Sequence, residues 1–319
     1  MFVLASQIRI GSYTFERVNS VQVSRSTNAI GAKAVVKVPV SAVVKASDGT
    51  VSSRTETAKA VKAGDAVEIR LGYGREMNLE FKGYVRRINL KSPLEIECED
   101  AFYLCRTRQV SLSGKSSTLD DILKACGLTV GQAATLTLKN FVADNLPASS
   151  VLEKLKADYG LHVFFDMDGK VYAIRAFDLV SETVRYEMRR NVIKDDELKY
   201  LKASEAKLKV KAVCFMADGS KVEATIGEDG GAEKTLYFYD VESRAELKTL
   251  AEAELRKYSK DGYEGTIETF LLPYAEPCMA ADLIDPVYPE RSGKYHITAV
   301  ETSFGLSGAR RKVSIGIAV

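Results

Sequence analysis

Chemistry at a protein site starts from a few residue types, and here the supply is thin. The chain of 319 residues holds two histidines. His162 sits in the apolar run Leu161-His162-Val163-Phe164-Phe165, and His296 alternates with Tyr295 and Ile297. Imidazole catalysis or metal ligation needs a second functional group beside the ring, and neither run supplies one, so both read as strand residues. The five cysteines, Cys98, Cys105, Cys126, Cys214 and Cys278, are scattered and include no C-x-x-C pair. An odd, unclustered set argues against both a disulfide framework and a zinc site, and for reduced folding.

Three motif fragments fail on inspection. Ser113-Gly114-Lys115-Ser116 resembles the end of a phosphate loop, but the earlier glycine that loop needs falls at Gln109, leaving an ordinary helix cap as the simpler reading. Gly305-Leu306-Ser307-Gly308-Ala309 misses the final glycine of a nucleophile elbow and reads as a hairpin turn. Asp166-Met167-Asp168-Gly169 begins like a calcium loop, yet Lys170, Tyr172 and Ile174 follow where oxygen ligands belong, so it reads as an Asp-Gly turn. Carboxylates crowd at Glu97, Glu99 and Asp100 and again at Asp195, Asp196 and Glu197. A two-carboxylate glycosidase therefore stays open, although a solvated strand face and a charged loop explain them more simply. The sequence assigns no catalytic, cofactor-binding or metal-binding residue and implies no cofactor.

The elements around these residues are mostly strands. From Gln7 to Asp100 apolar residues alternate: Ile8 and Ile10, Val21 and Val23, Val36 and Val38, Val67, Ile69 and Leu71, Leu94, Ile96 and Cys98. Period two predicts half-buried antiparallel strands, with a small barrel as the natural closure. Between Leu79 and Leu90 the phase slips near Gly83, which predicts a long bent strand with a bulge. Residues 41–64 lack periodicity and predict a long connection.

After Asp100 the period changes. Ser117 or Thr118 caps a helix carrying Leu119, Ile122, Leu123 and Cys126, with Gly127 as its stop. A second helix starts near Pro147, carries Val151, Leu152 and Leu155, and ends at Gly160. Strands return from Asp178, with Lys207 to Phe215, Thr266 to Leu272, Lys294 to Ser303 and Arg311 to Ile317 the clearest. One helix interrupts them, capped by Asp240 and running from Val241 to about Tyr258. The expected class is mainly β with an α+β insert: a first β-barrel domain over 1–100, a small α+β domain over 101–177, and a second β-barrel domain with one inserted helix over 178–319. Both β blocks share a grammar of short strand, Gly-Tyr or Gly-Lys-Tyr entry, long strand, turn and closing strand, which suggests two related barrels.

Composition narrows the function classes. Lys plus Arg number 45 against 43 Asp plus Glu, a formal net charge of +2, so no global field marks a nucleic-acid binder. No apolar run approaches the roughly 18 residues of a membrane span, and the N-terminal stretch lacks the parts of a signal peptide.

Several stretches resemble one family. Gly64-Asp65-Ala66-Val67-Glu68-Ile69 leads to Phe81-Lys82-Gly83-Tyr84-Val85 and then Leu94-Glu95-Ile96-Glu97-Cys98-Glu99-Asp100. Asn140-Phe141, Pro147 to Leu155, Tyr159-Gly160-Leu161, the helix from Val241, Gly262-Tyr263-Glu264-Gly265 and Gly293-Lys294-Tyr295-His296-Ile297 follow. Together these resemble the baseplate hub proteins of contractile phage tails, which are similar to the N-terminal part of type VI secretion spike proteins. The resemblance implies two related barrels flanking an α/β module and assembly as a homotrimer, a ring adapting a threefold spike to a sixfold tail tube. It implies a tail spike protein and a tail tube protein as partners, with DNA only as passing cargo. It places the chain in the bacterial cytoplasm during assembly and then in the virion tail baseplate, and it carries no catalytic residues across. The chain ends at Val319 without a needle extension, so a separate spike is expected. The competing reading is a cell-envelope glycan-binding or glycan-hydrolysing protein.

Overall fold

The structure is a computed structural model describing residues 3–15, 17–42, 45–46, 55–114, 116–139, 141–202, 208–215, 220–227, 230, 232–239, 241, 243–258 and 261–319. Lys115, Asn140, Asp240 and much of the 41–64 connection, all of which carried sequence expectations, lie outside the described residues.

The first block contains strands β1 (Leu4–Ile10), β2 (Ser20–Ser26), β3 (Lys33–Val38), β4 (Ala66–Tyr73), β5 (Glu76–Asn89) and β6 (Leu94–Glu99). Their apolar phase faces inward, and Ile8, Ile10, Val21, Val36, Ile69, Leu71, Leu94 and Ile96 form one buried core. The strands lie in the order β1-β4-β5-β6-β3-β2, every neighbour antiparallel. The bent strand is β5. A Cβ on Gly83 would stand 2.3 Å from the Glu99 carbonyl oxygen, so only glycine lets β5 and β6 approach there. Two residues later a bulge skips Arg86: Val85 pairs with Cys98 but Arg87 with Glu97. In the described part of the 41–64 connection, Thr57 is buried, donates its hydroxyl to the Pro39 carbonyl at 2.8 Å, and leads to Val61 in the core.

The α/β region follows. Helix α1 (Leu119–Ala125) is capped by Thr118, whose hydroxyl accepts from the Asp121 N–H at 3.2 Å. Helix α2 (Ala148–Tyr159) stops at Gly160, which takes φ +62°, a left-handed value suited to glycine. Helix α2 packs on the hairpin of β7 (His162–Phe165) and β8 (Val171–Ile174), and α1 joins the same second core, which buries Leu119, Ile122, Leu152, Leu155, Val163 and Val171.

The last block opens with β9 (Thr183–Glu187) and β10 (Val192–Leu201). An excursion then forms β11 (Leu208–Phe215), β12 (Lys221–Gly227), β13 (Ala232–Tyr239) and α3 (Arg244–Tyr258). These three strands make their own sheet, ordered β12-β11-β13, with a separate small core from Ala212, Cys214, Phe238, Leu247 and Ala251. The strand expected at Lys207 to Phe215 thus belongs to the inserted unit. Leu201 pairs directly with Gly262, so the block's ladder is complete without it. The block continues with β14 (Gly262–Thr269), β15 (Ala280–Ile284), β16 (Gly293–Gly305) and β17 (Gly308–Ala318).

Leaving the excursion aside, the two blocks share one plan. The second is ordered β9-β15-β16-β17-β14-β10, the same permutation of chain order as the first. The match extends to single residues. The Gly64 and Val85 pair, with Gly64 N–H donating to Val85 O and Val85 N–H to Asp65 O, recurs as Cys278 N–H to Ile297 O and Ile297 N–H to Met279 O. Gly64 and Cys278 both take positive φ, +88° and +71°. The bulge recurs too: Ile297 pairs with Ile315 and Ala299 with Ser314, skipping Thr298 as β5 skips Arg86. One strand differs, because β9 runs parallel to β15 whereas β1 runs antiparallel to β4. The sheet pairing of the described residues runs as an open path in each block, and the fold is mainly β with an α/β region.

The blocks are fused edge to edge. Strand β16 gives its first half to β15 and its second half to β2, where Ala299 to Gly305 pair with Ser26 to Ser20. With two short strands, Tyr13–Phe15 on β1 and Lys45–Ala46 on Tyr13–Phe15, a 14-stranded sheet results.

Candidate subunit interface

The residues weighed for catalysis hold structural positions. His162 faces a buried setting that, with the nearby Lys156 charge, pushes its pKa down to about 4. His296 is buried in β16 with its ring 5.0 Å from that of Phe177. All five thiols are buried and unpaired with one another. Burial pushes Cys98, Cys105 and Cys278 up to about 12 and Cys126 to about 11, the behaviour of inert core thiols. Gly305 pairs with Gly308 as the expected hairpin, with Leu306 at its exposed tip. The Asp166 carboxylate accepts from the N–H groups of Asp168 and Lys170, at 2.9 and 2.8 Å, which closes the turn on itself.

The two carboxylate groups do not meet as an acid and base pair. Glu99 is clamped by the Arg106 guanidinium through two bonds of 2.7 Å, and Glu97 accepts from Asn89 at 2.8 Å. Asp100 accepts from the N–H groups of Ala32 and Phe102, at 2.7 and 3.0 Å, and burial raises its pKa to about 7. Asp195, Asp196 and Glu197 line the exposed rim of β10. A cavity of about 90 Å³ where the three regions converge is bounded by Arg25, Asp100, Asp166 and Glu276. It is well below the roughly 300 Å³ where ordinary ligand pockets begin. Among the described residues no group of His, Cys, Asp and Glu could hold a metal ion.

The polar groups that do converge lie at the fusion of the blocks. Arg311 on β17 is 0% exposed and its guanidinium reaches Glu80 of β5, 3% exposed, at 2.5 Å. The same carboxylate accepts from Thr302 of β16 at 3.0 Å, while Arg311 donates to the carbonyls of Leu271 and Pro273, the latter at 2.9 Å. Arg25 of β2 pairs with Glu276 at 2.9 Å and donates to the Tyr274 hydroxyl. Burial opposes the Arg25 charge, but Tyr274 and Glu276 outweigh it and leave its pKa above the ordinary value. Leu271, Phe304 and Ala309 from the second block enter the first block's core. Sequence reading passed over Arg311, yet a signal was there: it stands in the inward phase with Val313 and Ile315.

The fold is similar to that of phage tail proteins. The 43 kDa tail protein of prophage MuSo2 from Shewanella oneidensis aligns with a TM-score of 0.59 at 14% identity, covering 98% of this chain and 97% of that one. A tail protein from Neisseria meningitidis MC58 aligns at 0.62 and 11% identity, covering 98% and 96%. A component of the type VI secretion system of E. coli, described as structurally similar to bacteriophage T4 tail proteins, aligns at 0.58 and 8% identity, covering 98% of this chain and 77% of that one. No protein-family model and no curated protein sequence matches. At these identities the tail-protein likeness is one of fold. No helix of the described residues is long and apolar enough to cross a membrane.

Proposed function

We propose that this chain is a structural hub subunit of a contractile phage or prophage tail baseplate, working as a homotrimeric ring between a threefold spike and a sixfold tail tube. The observation that carries this reading is the duplication. Two blocks of one strand order, fused through β16 and β2, give each chain two near-equivalent units. Three chains then present six, the arithmetic that a threefold to sixfold adapter requires. The likeness of fold to phage tail proteins supports the same role.

On this reading each β block acts as a small barrel, residues 1–100 and 178–319, with residues 101–177 as the module between them. The partners are a tail spike protein and a tail tube protein. DNA is cargo that passes without being held, in keeping with the formal net charge of +2. The chain assembles in the bacterial cytoplasm, ends in the virion tail baseplate, and has no enzymatic activity.

Light scattering over a wide concentration range, then electron microscopy with and without the spike partner, tests the proposal. A ring of three chains is expected, burying on the order of 2,000 Å² or more per contact. A persistent monomer that forms no ring even with its spike would end the hub reading. Release of peptidoglycan fragments by the purified protein, lost on changing Glu99 or Asp100, would favour the glycan-hydrolase alternative instead.

A further inference from the structure

We infer that the outer edge of β10 in one chain pairs with the second half of β5 in the next copy, repeating between chains the joint that β2 and β16 make within one. The inference rests on the ring reading above and adds the strands and register that would close it.

The two edges are open for the same reason. Strand β16 is longer than its neighbour β15, and the edge left over from Ala299 to Gly305 is covered by β2. Strand β5 likewise outruns β4, whose pairing ends at Tyr84, and among the described residues no strand covers Arg87 to Asn89 on that side. The strand equivalent to β2 is β10. It pairs with β14 on one side, and on the other it forms the terminal edge of the 14-stranded sheet. Among the described residues one joint is therefore made in the chain, and the two halves of a second have no strand beside them.

The duplication fixes the register. Val85 corresponds to Ile297, and beyond the shared bulge Arg87, Ile88, Asn89 and Leu90 correspond to Ala299, Val300, Glu301 and Thr302. Val23 corresponds to Leu198, since each faces the strand position that next meets Cys98 or its counterpart Ile315. Transferring the pairing of Thr302 with Val23 and of Ser303 with Gln22 sets Leu90 opposite Leu198 and Lys91 opposite Glu197. Arg87 falls opposite Leu201 by the same count.

Chemistry agrees with that register. Leu90 is 81% exposed, whereas Thr302 at the equivalent place is 3% exposed because its joint is made. Leu201 is a second large apolar side chain left in water. In that register Lys91 at the end of β5 meets Glu197 of β10, an opposite charge directly across the pair. In the free chain Lys91 pairs with Glu95 and Glu197 with Lys312, at 3.0 and 3.3 Å, both on exposed surface where such pairs hold little. An exposed strand edge left in this condition invites the pairing of a second chain.

Cysteine cross-linking reads the register directly. Chains carrying Lys91→Cys and chains carrying Glu197→Cys are mixed under oxidation, with Lys91→Cys mixed with Leu201→Cys as the control pair. The native thiols are buried and contribute little background. The first mixture should give about tenfold more covalent dimer than the control, whose positions lie out of disulfide reach in this register. Lys91→Glu alone should raise the concentration needed for association by about tenfold, and adding Glu197→Lys should restore it. Rings seen by electron microscopy without cross-linking or charge rescue would overturn this pairing and leave the hub reading standing. Absence of both rings and cross-links would overturn the two together.

Discussion

Arg311 places a guanidinium where no water reaches, so its worth depends on keeping every partner. Glu80, Thr302 and the carbonyls of Leu271 and Pro273 surround it, and its Nε is a buried donor without a partner among the described residues. Removing one member of such a pair leaves the other as an uncompensated buried charge, at about 3 to 5 kcal/mol. Arg311→Leu is expected to lose that much in urea unfolding, while Arg311→Leu combined with Glu80→Leu should recover a large part of it. Asp100 makes a prediction of opposite character. Its pKa in the fold is raised from 3.8 to about 7, so between those values the folded chain keeps a proton that the unfolded chain has released. Stability from this group is therefore present at low pH and is lost as pH rises through that window. Asp100→Asn should flatten the decline, and urea midpoints measured for both proteins from pH 4 to pH 7 check it. A wild-type protein that gained stability relative to the variant on raising pH would contradict the assignment.

At the scale of elements, the inserted unit of β11, β12, β13 and α3 is an excursion from a hairpin that already closes, Leu201 against Gly262. It rests on the end of α2, where the Tyr239 hydroxyl donates to the Tyr159 carbonyl and the rings of Phe215 and Tyr159 lie 4.8 Å apart. Replacing residues 202–261 with an Asn-Gly turn should leave both β blocks folded, because the turn suits a two-residue hairpin. Circular dichroism and a crystal structure of the shortened chain test this; loss of the β10 and β14 ladder would refute it. The sequence showed the local devices well. Thr118 as a cap, Gly160 as a stop and Asp166 to Gly169 as a turn are decided by neighbours in the chain. It showed poorly what depends on distant partners. A strand such as Leu208 to Phe215 reads alike whether it joins the large sheet or a small one, and nothing local says that β16 serves two neighbours in succession. The candidate interface was illegible for the same reason, apart from Arg311 in an inward phase.

For the whole molecule, the shared strand ties the fates of the two blocks. Phe304 and Ala309 lie in the first block's core while Val300 and Val313 lie in the second's, all on β16 and β17. Opening one block therefore strips an edge and part of a core from the other. Amide hydrogen exchange is expected to report one common opening free energy for the central strands of both blocks, with lower values in the inserted unit. Two well-separated values for β3 and β14 would contradict it. The one reversed strand has a further bearing. Because β1 and β9 run in opposite senses beside otherwise matching neighbours, the two blocks match in the direction of every strand of the shared order but the first. Each joint turns the next block by some angle, and in a three-chain ring the inner and outer joints together must sum to one third of a full turn. The β2 and β16 pairing within the chain sets the first angle before any partner arrives. Only the second remains free to adjust, so a substitution that twists the β2 and β16 joint would change the number of chains that close, even with every residue of the contact between chains intact.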